Sequence, residues 1–363
     1  MNWIDMHCDT LSMLLDEKNA GLDRNSLCVD IERLKESGAA AQFFACYVNA
    51  AQFSGYKDPW DRAYEMVLAM ISYARRSENA GFGIACSCGD ILRMERENRI
   101  AGILTVEEGG VLNGCHERLA ALYDCGIRLV TLTWNHENCI GSPNSRERNV
   151  MEKGLTPFGI ETVERMNELG MVVDVSHLSD GGFWDCIRHS RKPVAASHSN
   201  ARALCPHPRN LTDEMLHALG ENGGAAGVNF YGAFLRQTGG GGSQKDGKEV
   251  LPAGIKDIVR HIRYMTDRAG EDAVALGTDF DGFDRKALPA GIEGVQDMDL
   301  LWDEMKRAGF TERQIEKTAY GNVMRILHEC IGRAERNFWC RSPWHGMMYG
   351  NEALQKNCLK EER

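Results

Sequence analysis

Short apolar runs alternate with longer amphipathic segments along most of the chain, and this alternation constrains the fold more than any other feature. The amphipathic segments, such as Asp61–Arg76 and Pro157–Leu169, carry apolar residues every three or four positions, as helices do. Strand–helix alternation predicts parallel strands joined by helical crossovers, and eight strands favour a closed (β/α)8 barrel over an open doubly wound sheet. The run Gly83–Ser87 is a candidate for a ninth strand, so the number of strands stays open. The eight predicted strands are Trp3–His7, Gln42–Val48, Ala101–Val106, Arg128–Trp134, Val172–Ser176, Pro193–Ser197, Ala225–Phe230 and Ala273–Thr278.

The length of 363 residues fits one such barrel followed by a tail. We predict a catalytic domain over residues 1–335 and a C-terminal tail of unassigned role over residues 336–363. We expect the tail to pack either on the barrel or on a neighbouring subunit, which leaves a homodimer open. The glycine run that starts at Gly239 predicts a flexible loop, either a lid or, as we favour, an exposed insertion.

Charge and hydropathy exclude several classes of partner. The formal net charge is −10 and no dense basic run occurs, so nucleic acid is not an expected partner. No apolar run approaches the roughly 18 residues of a membrane span, and the first residues lack a signal-peptide pattern. The 13 cysteines show no framework spacing. We therefore expect a cytoplasmic protein with reduced thiols that binds neither nucleic acid nor a membrane.

Chemically active side chains follow the predicted strands, where a barrel places its active site. His7 and Asp9 end the first strand two residues apart, so both face one side, while Met6 and Cys8 face the other. Glu107, which follows the third strand directly, is costly to bury unless it is paired or bound to a cation. The alternative is that Glu107 and the neighbouring Glu108 both belong to a solvated loop.

Two histidines end apolar strands in the same way. His177 follows the fifth strand and His198 the sixth. A lone histidine at a strand end is usually a capping or core residue, but two on neighbouring strands together with His7 indicate a metal site. Asp279, after the eighth strand, is a candidate proton shuttle, whereas Asp281 caps or turns the chain. Nucleotide-binding glycine motifs and the serine-hydrolase motif G-x-S-x-G are absent.

Taken in order, these motifs resemble the membrane dipeptidase (renal dipeptidase) family of zinc peptidases. The resemblance runs from residue 1 to about residue 332. Spacing without a gap from Glu107 to the family's L-x-x-L-Y-x-x-G helix end, here Leu119–Gly126, places Glu107 rather than Glu108 at the ligand position. The matched segments are Asp5–Asp9, Val106–Gly109, Asp174 with His177 and Ser179, Ser197–Ala201 with Arg209-Asn210, Val228–Tyr231 and Gly277–Gly282.

The resemblance implies a barrel with two zinc ions that activate water for attack on a dipeptide carbonyl. By that resemblance His7 and Asp9 bind one ion, His177 and His198 bind the other, and Glu107 bridges them. It further implies that Asp279 transfers the proton. Tolerance of a D-residue at the C-terminal position of the dipeptide is also implied.

By the same resemblance, three further residues are assigned to substrate binding. Arg209 would hold the substrate carboxylate, with Trp134 and Asn229 also assigned to substrate binding. The alternative for Arg209 is a surface ion pair with Asp213 or Glu214.

One position departs from the family. Its strand-four motif L-T-L-T-H ends in a histidine that polarises the carbonyl, and here Trp134 occupies that position. His136 lies two residues further on and substitutes for it if the strand continues. Two other functions therefore stay open: a barrel metallohydrolase acting on a different amide or ester, and a barrel that binds a metal or ligand without catalysis.

Overall fold

The computed structural model describes residues 1–16, 21–237 and 252–332. The predicted loop after Gly239 and the predicted tail over 336–363 lie outside the described residues. Within them the chain forms nine strands: β1 Trp3–Cys8, β2 Ala39–Tyr47, β3 Phe82–Ile84, β4 Ile100–Glu107, β5 Ile127–Thr131, β6 Val172–Asp174, β7 Val194–Ala196, β8 Ala225–Val228 and β9 Val274–Leu276.

Helices connect the strands and cover the outside of the sheet. The predicted helix Pro157–Leu169 has the predicted bounds, and the helix predicted over Asp61–Arg76 begins two residues earlier, at Pro59. The α-helices of the described residues are α1 Thr10–Asp16, α2 Ile31–Glu36, α3 Pro59–Arg76, α4 Cys88–Arg96, α5 His116–Asp124, α6 Arg148–Met151, α7 Pro157–Leu169, α8 Asp180–His189, α9 Asp213–Glu221, α10 Gly232–Leu235, α11 Ile255–Ala269, α12 Met298–Arg307, α13 Glu312–Glu316 and α14 Asn322–Ile331.

Eight of the strands close into a parallel barrel, as predicted. The hydrogen-bonded order runs β2-β1-β9-β8-β7-β6-β5-β4, and β2 also pairs with β4 to complete the ring. The ninth strand stands outside this ring. β3 pairs with residues 100–102 of β4, and β5 occupies the same edge of β4 from Leu104 onward.

Strands are apolar on both faces because helices cover one face and side chains fill the barrel on the other. The inner layer includes Ile4, Phe43, Ile103 and Leu129, all essentially inaccessible to solvent. Residues of α4 and α14 pack on the same cluster and cover the end of the barrel where the strands begin. The opposite end, where the strands finish, carries the polar residues.

Two glycines allow the last three barrel strands to approach closely at that polar end. A Cβ atom added at Gly227 or at Gly277 would overlap the carbonyl oxygen of Ser197. Glycine is therefore required at both positions for β7, β8 and β9 to converge. This convergence brings the residues that follow β7 toward those that follow β9.

An irregular step in β1 changes the predicted alternation. Asp5 pairs with Gln42 and Cys8 with Phe44, so β1 contains one more residue than β2 over this interval, as in a β-bulge. As a result Met6 packs in the inner layer of the barrel, while Cys8 packs in the outer layer. The prediction that Met6 and Cys8 share a face is therefore wrong.

Candidate active site

Five predicted ligands meet where the barrel strands end. Nε2 of His7 lies 3.4 Å from Oδ2 of Asp9 and 3.4 Å from Oε2 of Glu107. Nε2 of His177 lies 3.1 Å from Oε1 of Glu107, and Nε2 of His198 lies 3.5 Å from the same oxygen. All five residues are buried except the partly accessible His177. They come from β1, β4 and the segments that follow β1, β6 and β7.

Glu107 lies at the centre of this cluster, and its two oxygens face different partners. Oε2 faces His7, whereas Oε1 faces the two other histidines. The donor atoms therefore divide into two groups that share one carboxylate. Groups formed by His7, Glu107 and His198, and by His7, Asp9 and Asp279, each bring three potential ligand atoms within 4.8 Å of one another.

Hydrogen bonds direct the lone pairs of two imidazoles into the cluster. Nδ1 of His177 donates to Oδ1 of Asn135 over 3.1 Å, and Nδ1 of His198 lies 2.8 Å from the hydroxyl of Ser197. When both Nδ1 atoms carry the ring hydrogen, neither Nε2 does, although these nitrogens lie 3.0 Å apart. Lone pairs that converge at this distance repel one another, and a cation between them relieves the repulsion.

The remaining polar atoms of the cluster also fit a cation. Both ring nitrogens of His7 and Oδ1 of Asp9 are buried and form no hydrogen bond within the described residues. Imidazole nitrogens and carboxylate oxygens are the donors that zinc and related divalent ions prefer. Burial lowers the pKa of His177 to about 4 and that of His198 well below its usual value, so both imidazoles are neutral, as metal binding requires.

Burial and neighbouring carboxylates raise the pKa of Asp9 and of Asp279, whereas the histidines hold the pKa of Glu107 well below its ordinary value. Burial and the charge of Glu107 raise the pKa of Asp9 to about 6. Burial, with the charges of Asp9 and Glu107, raises the pKa of Asp279 to about 8. Burial opposes a proton on His7, but Glu107 and Asp9 outweigh it and raise the pKa of that imidazole well above its ordinary value. The cluster is therefore an excess of buried negative charge that favours cations.

Asp279 is held in place by its neighbours. Its φ of 61° is left-handed, and Oδ2 accepts a hydrogen bond of 2.8 Å from Nδ2 of Asn229. Asn229, predicted to bind substrate, thus contacts the predicted proton shuttle directly. Asp281, two residues on, accepts from the backbone N–H of Cys28 and from Oγ1 of Thr10, each over 2.7 Å, as predicted for a turn residue.

Left-handed backbone conformations gather around this site. Of six non-glycine residues with positive φ in the described part of the chain, four belong to the segments just described: Glu108 at 109°, His177 at 66°, Asp279 at 61° and Asp281 at 68°. Non-glycine residues adopt such angles at a cost of about 1–3 kcal/mol each, and they collect at sites where side-chain placement matters.

Glu108 has a role different from that of Glu107. It is fully buried, and its Oε1 accepts from the backbone N–H of Gly110 over 2.9 Å and from Nδ2 of Asn138. Burial raises the pKa of Glu108 to about 7. Asn138 also donates to the carbonyl of Leu132, so Glu108 anchors the loop after β5 rather than facing the histidines. The solvated-loop alternative is wrong for both glutamates.

Arg209 lies beside the cluster as a buried cation. It is 5% exposed, and it donates to Oγ of Ser199 over 3.2 Å and to the carbonyl of His198 over 3.1 Å. It forms no ion pair with a described acidic residue, and its Nε has no hydrogen-bond partner there. Asp213 instead pairs with Arg268. Burial lowers the pKa of Arg209 to about 10, and the arginine stays charged.

Aromatic rings line the mouth on the side of His177. The ring of Trp134 lies 5.0 Å from that of Tyr47 and 6.2 Å from that of His177, measured between centroids. β5 ends at Thr131, so the strand parity predicted for His136 does not extend to that residue. His136 is exposed, and its ring contacts Trp134 at 6.0 Å.

Several residues of the site went unassigned in the sequence. Tyr47 ends β2 directly opposite Glu107, and burial with the nearby carboxylates raises the pKa of its phenol. Ser197 and Asn135 orient two histidines. Ser197 and Asn135 lie next to predicted site residues in the sequence, and this adjacency is the signal that could have found them. The spacing of residues does not predict hydrogen bonds between loops.

A parallel (β/α)8 barrel with histidines and carboxylates clustered at the carboxyl ends of its strands defines a metal-dependent hydrolase. The family described as membrane dipeptidase (peptidase family M19) matches residues 1–337, and the chain belongs to that family. It is therefore a metal-dependent peptide-bond hydrolase. No helix of the described ranges is long and apolar enough to cross a bilayer.

Individual proteins are similar to most of this chain. An uncharacterized protein in the pqqA 5′ region of Klebsiella pneumoniae is 35% identical over 276 residues, which cover 74% of this chain and 96% of that protein. An uncharacterized dipeptidase of Schizosaccharomyces pombe is 31% identical over 310 residues, 82% of this chain and 71% of that protein. The crystal structure of a Rhodobacter sphaeroides metallopeptidase, liganded with a phosphinate mimic of the dipeptide L-Ala-D-Ala, is 28% identical with a TM-score of 0.77, covering 91% of this chain and 99% of that one.

The two adjacent glutamates predict unequal effects of substitution. Glu107→Gln replaces one oxygen of the shared carboxylate by a donor, so it should lower both metal content and activity. Glu108→Gln keeps the oxygen that anchors the loop and should lower both much less. Metal analysis of the purified variants and their hydrolysis rates test this difference, and equal losses would contradict the assignment of Glu107 to the centre of the cluster.

Proposed function

We propose that the protein is a dinuclear zinc dipeptidase. The observation that carries this proposal is the division of the donor atoms into two groups that share the carboxylate of Glu107. In this proposal His7 and Asp9 bind one ion, while His177 and His198 bind the other. When bound, such ions polarise a carbonyl and lower the pKa of water toward neutrality.

Asp279 is the proposed proton shuttle. It takes the proton of the attacking water and passes it to the amine that leaves. Its Oδ1 lies 3.9 Å from Nε2 of His7 at the edge of the cluster, and Asn229 holds its other oxygen. Asn229 therefore supports catalysis by orienting Asp279, beside its predicted contact with substrate. A carboxylate fixed by one amide keeps its second oxygen available for proton transfer.

Arg209 is the proposed anchor for the substrate carboxylate. A buried guanidinium without a carboxylate partner in the described residues favours an anionic ligand, and its planar donors fit a carboxylate. Its donors to His198 and Ser199 hold it next to a predicted metal ligand. A carboxylate bound there would lie close to the scissile bond, which favours dipeptides over longer peptides.

Tolerance of a D-residue at the C-terminal position is part of the proposal. Support comes from the Rhodobacter sphaeroides metallopeptidase, whose ligand mimics L-Ala-D-Ala. Trp134 with Tyr47 forms an aromatic wall that would contact a substrate side chain. His136, the predicted substitute for the family's histidine, is exposed beside Trp134, with the two ring centroids 6.0 Å apart.

Trp134 also favours a second candidate function. An indole at the position where the family places an imidazole removes one group that polarises the carbonyl, which is compatible with a different amide or ester as substrate. Zinc analysis and an assay panel of L-L, L-D and glycine-containing dipeptides, with amide and ester substrates alongside, distinguish the candidates.

We expect about two zinc ions per chain and hydrolysis of dipeptides that chelation abolishes and added zinc restores. Hydrolysis of the esters or other amides alone would favour the second candidate. Metal binding without turnover of any substrate would indicate a non-catalytic barrel, and activity that is indifferent to chelators would contradict the metal centre.

Asp279→Asn should lower kcat by at least ~10², the lower end for general acid–base catalysis, with the metal content retained. The substitution keeps the shape of the side chain but removes its proton acceptor. Steady-state kinetics and metal analysis of the same preparation measure both quantities. Loss of metal in this variant would instead identify Asp279 as a ligand.

Arg209→Ala should weaken kcat/KM for free dipeptides by roughly 1.5–3 kcal/mol, the range for hydrogen bonds to a charged group. Dipeptides with an amidated C-terminus lack the carboxylate, so they should be poor substrates already and change little. The matched kinetics of free and amidated substrates provide the control. Equal losses for both would mean that Arg209 supports the fold and not the substrate.

A further inference from the structure

Beneath the histidine side of the site lies a buried carboxylate that the proposed reaction does not use. Asp174, the last residue of β6, is inaccessible to solvent. Its Oδ1 accepts from the backbone N–H groups of Ser176 and Ser197, over 3.0 and 2.8 Å. Its Oδ2 accepts from the hydroxyls of Thr131 and Ser197, each over 2.6 Å. Four donors from three strand ends hold it rigidly.

These bonds determine which atom donates in the hydrogen bond between Ser197 and His198. An ionised carboxylate only accepts hydrogen bonds, so the hydroxyl of Ser197 must donate its hydrogen to Asp174. Oγ of Ser197 can then only accept from Nδ1 of His198, 2.8 Å away. That nitrogen must carry the ring hydrogen, and the lone pair of His198 is left on Nε2, which faces Glu107.

We infer that Asp174 is a positioning residue that acts through Ser197 to hold His198 in the tautomer that binds metal. Carboxylates commonly orient metal-bound histidines by direct contact, and here a serine hydroxyl is interposed. The other histidine of the pair, His177, is oriented by Asn135 instead. The relay from Asp174 through Ser197 therefore acts on His198 only. This inference rests on the proposed role of His198 as a zinc ligand.

The relay also reaches the proposed substrate anchor. The carbonyl of His198 accepts from Arg209, and the hydroxyl of Ser176 accepts from the backbone N–H of His198 over 3.0 Å. Because Asp174 binds the N–H groups of Ser176 and Ser197, it fixes the backbone just before His198 and also the residue whose hydroxyl accepts from His198. Asp174 therefore supports the placement of both the His198 imidazole and the Arg209 guanidinium.

Asp174→Asn tests the polarity of the relay. The two backbone N–H groups require an acceptor, so the amide oxygen should take the position of Oδ1 and the NH2 group should face Ser197. Ser197 would then accept from the amide and donate to Nδ1 of His198, which moves the ring hydrogen to Nε2. A similar reversal follows the Asp-to-Asn exchange in serine-protease triads.

The experiment uses ¹⁵N NMR of the metal-free full chain with labelled histidine, at alkaline pH where the imidazole is neutral. The signals of His198 are assigned by comparison with His198→Gln. We expect the Nδ1–H tautomer in the wild type and the Nε2–H tautomer in Asp174→Asn. An unchanged tautomer in a folded Asp174→Asn protein would overturn the inference.

Zinc affinity gives a second readout with a matched pair of variants. Ser197→Ala removes the link to His198, whereas Thr131→Val removes the other hydroxyl donor to the same Asp174 oxygen, and the Thr131 side chain has no hydrogen bond to a histidine in the described part of the chain. Calorimetric titration of the metal-free proteins should show about 10- to 100-fold weaker zinc binding at one site for Ser197→Ala. Thr131→Val should bind much more like the wild type.

The outcomes separate this inference from the proposed function. Equal loss of affinity in Ser197→Ala and Thr131→Val would overturn the relay while leaving the zinc centre intact. A wild type that binds no zinc would overturn both. Thermal unfolding without metal identifies variants that fail to fold, and either Asp174→Asn or Ser197→Ala suffices if the other is unfolded.

Discussion

The site has two halves, one at the ends of β5, β6 and β7 and the other at the ends of β1, β2 and β9. Each half depends on one buried carboxylate that must be surrounded by hydrogen-bond donors, because an unpaired charge inside a protein is too costly to keep. Asp174 gathers β5, β6 and the end of β7 through four donors. On the other side of the barrel Asp5 accepts from Nε2 of Gln42 and from both the backbone N–H and the hydroxyl of Thr278, each within 2.8 Å. It thereby joins β1, β2 and the end of β9. The requirement to satisfy these two charges brings together the strand ends that carry the histidines and acids.

Glu107 stands between the two halves and couples them. Each of its oxygens faces a histidine of a different half, so movement of either half changes the surroundings of the same carboxylate. Without a cation the cluster holds converging lone pairs, and the charge of Glu107 helps to raise the pKa of Asp9 and of Asp279. Metal binding would remove both costs at once, so the fold and the metal stabilise the same arrangement. The left-handed backbone at His177 and Asp279 is tolerable in such a setting because the surrounding hydrogen bonds determine it.

Much of this arrangement could be predicted from the sequence. The alternation of runs predicts the barrel, and each of the five predicted ligands lies at or just after the end of an apolar run, which is a purely local signal. Contacts between distant loops were not predictable in this way. Burial of Arg209 depends on how its loop folds over Ser199, and the anchoring of Glu108 depends on Asn138, thirty residues on. His136 shows the limit of parity as a guide, because β5 ends at Thr131 and the chain beyond it no longer alternates.

The extra residue in β1 acts as a spacer. It lets Met6 fill the barrel while His7 still reaches the mouth beside Glu107. Removing one residue there would keep all remaining side chains of the strand and restore a regular ladder with β2. It would also draw His7 and Asp9 deeper into the barrel by about 3.3 Å, the rise of one strand residue. The first strand of this family member can therefore tolerate changes of apolar side chain more readily than a change of length.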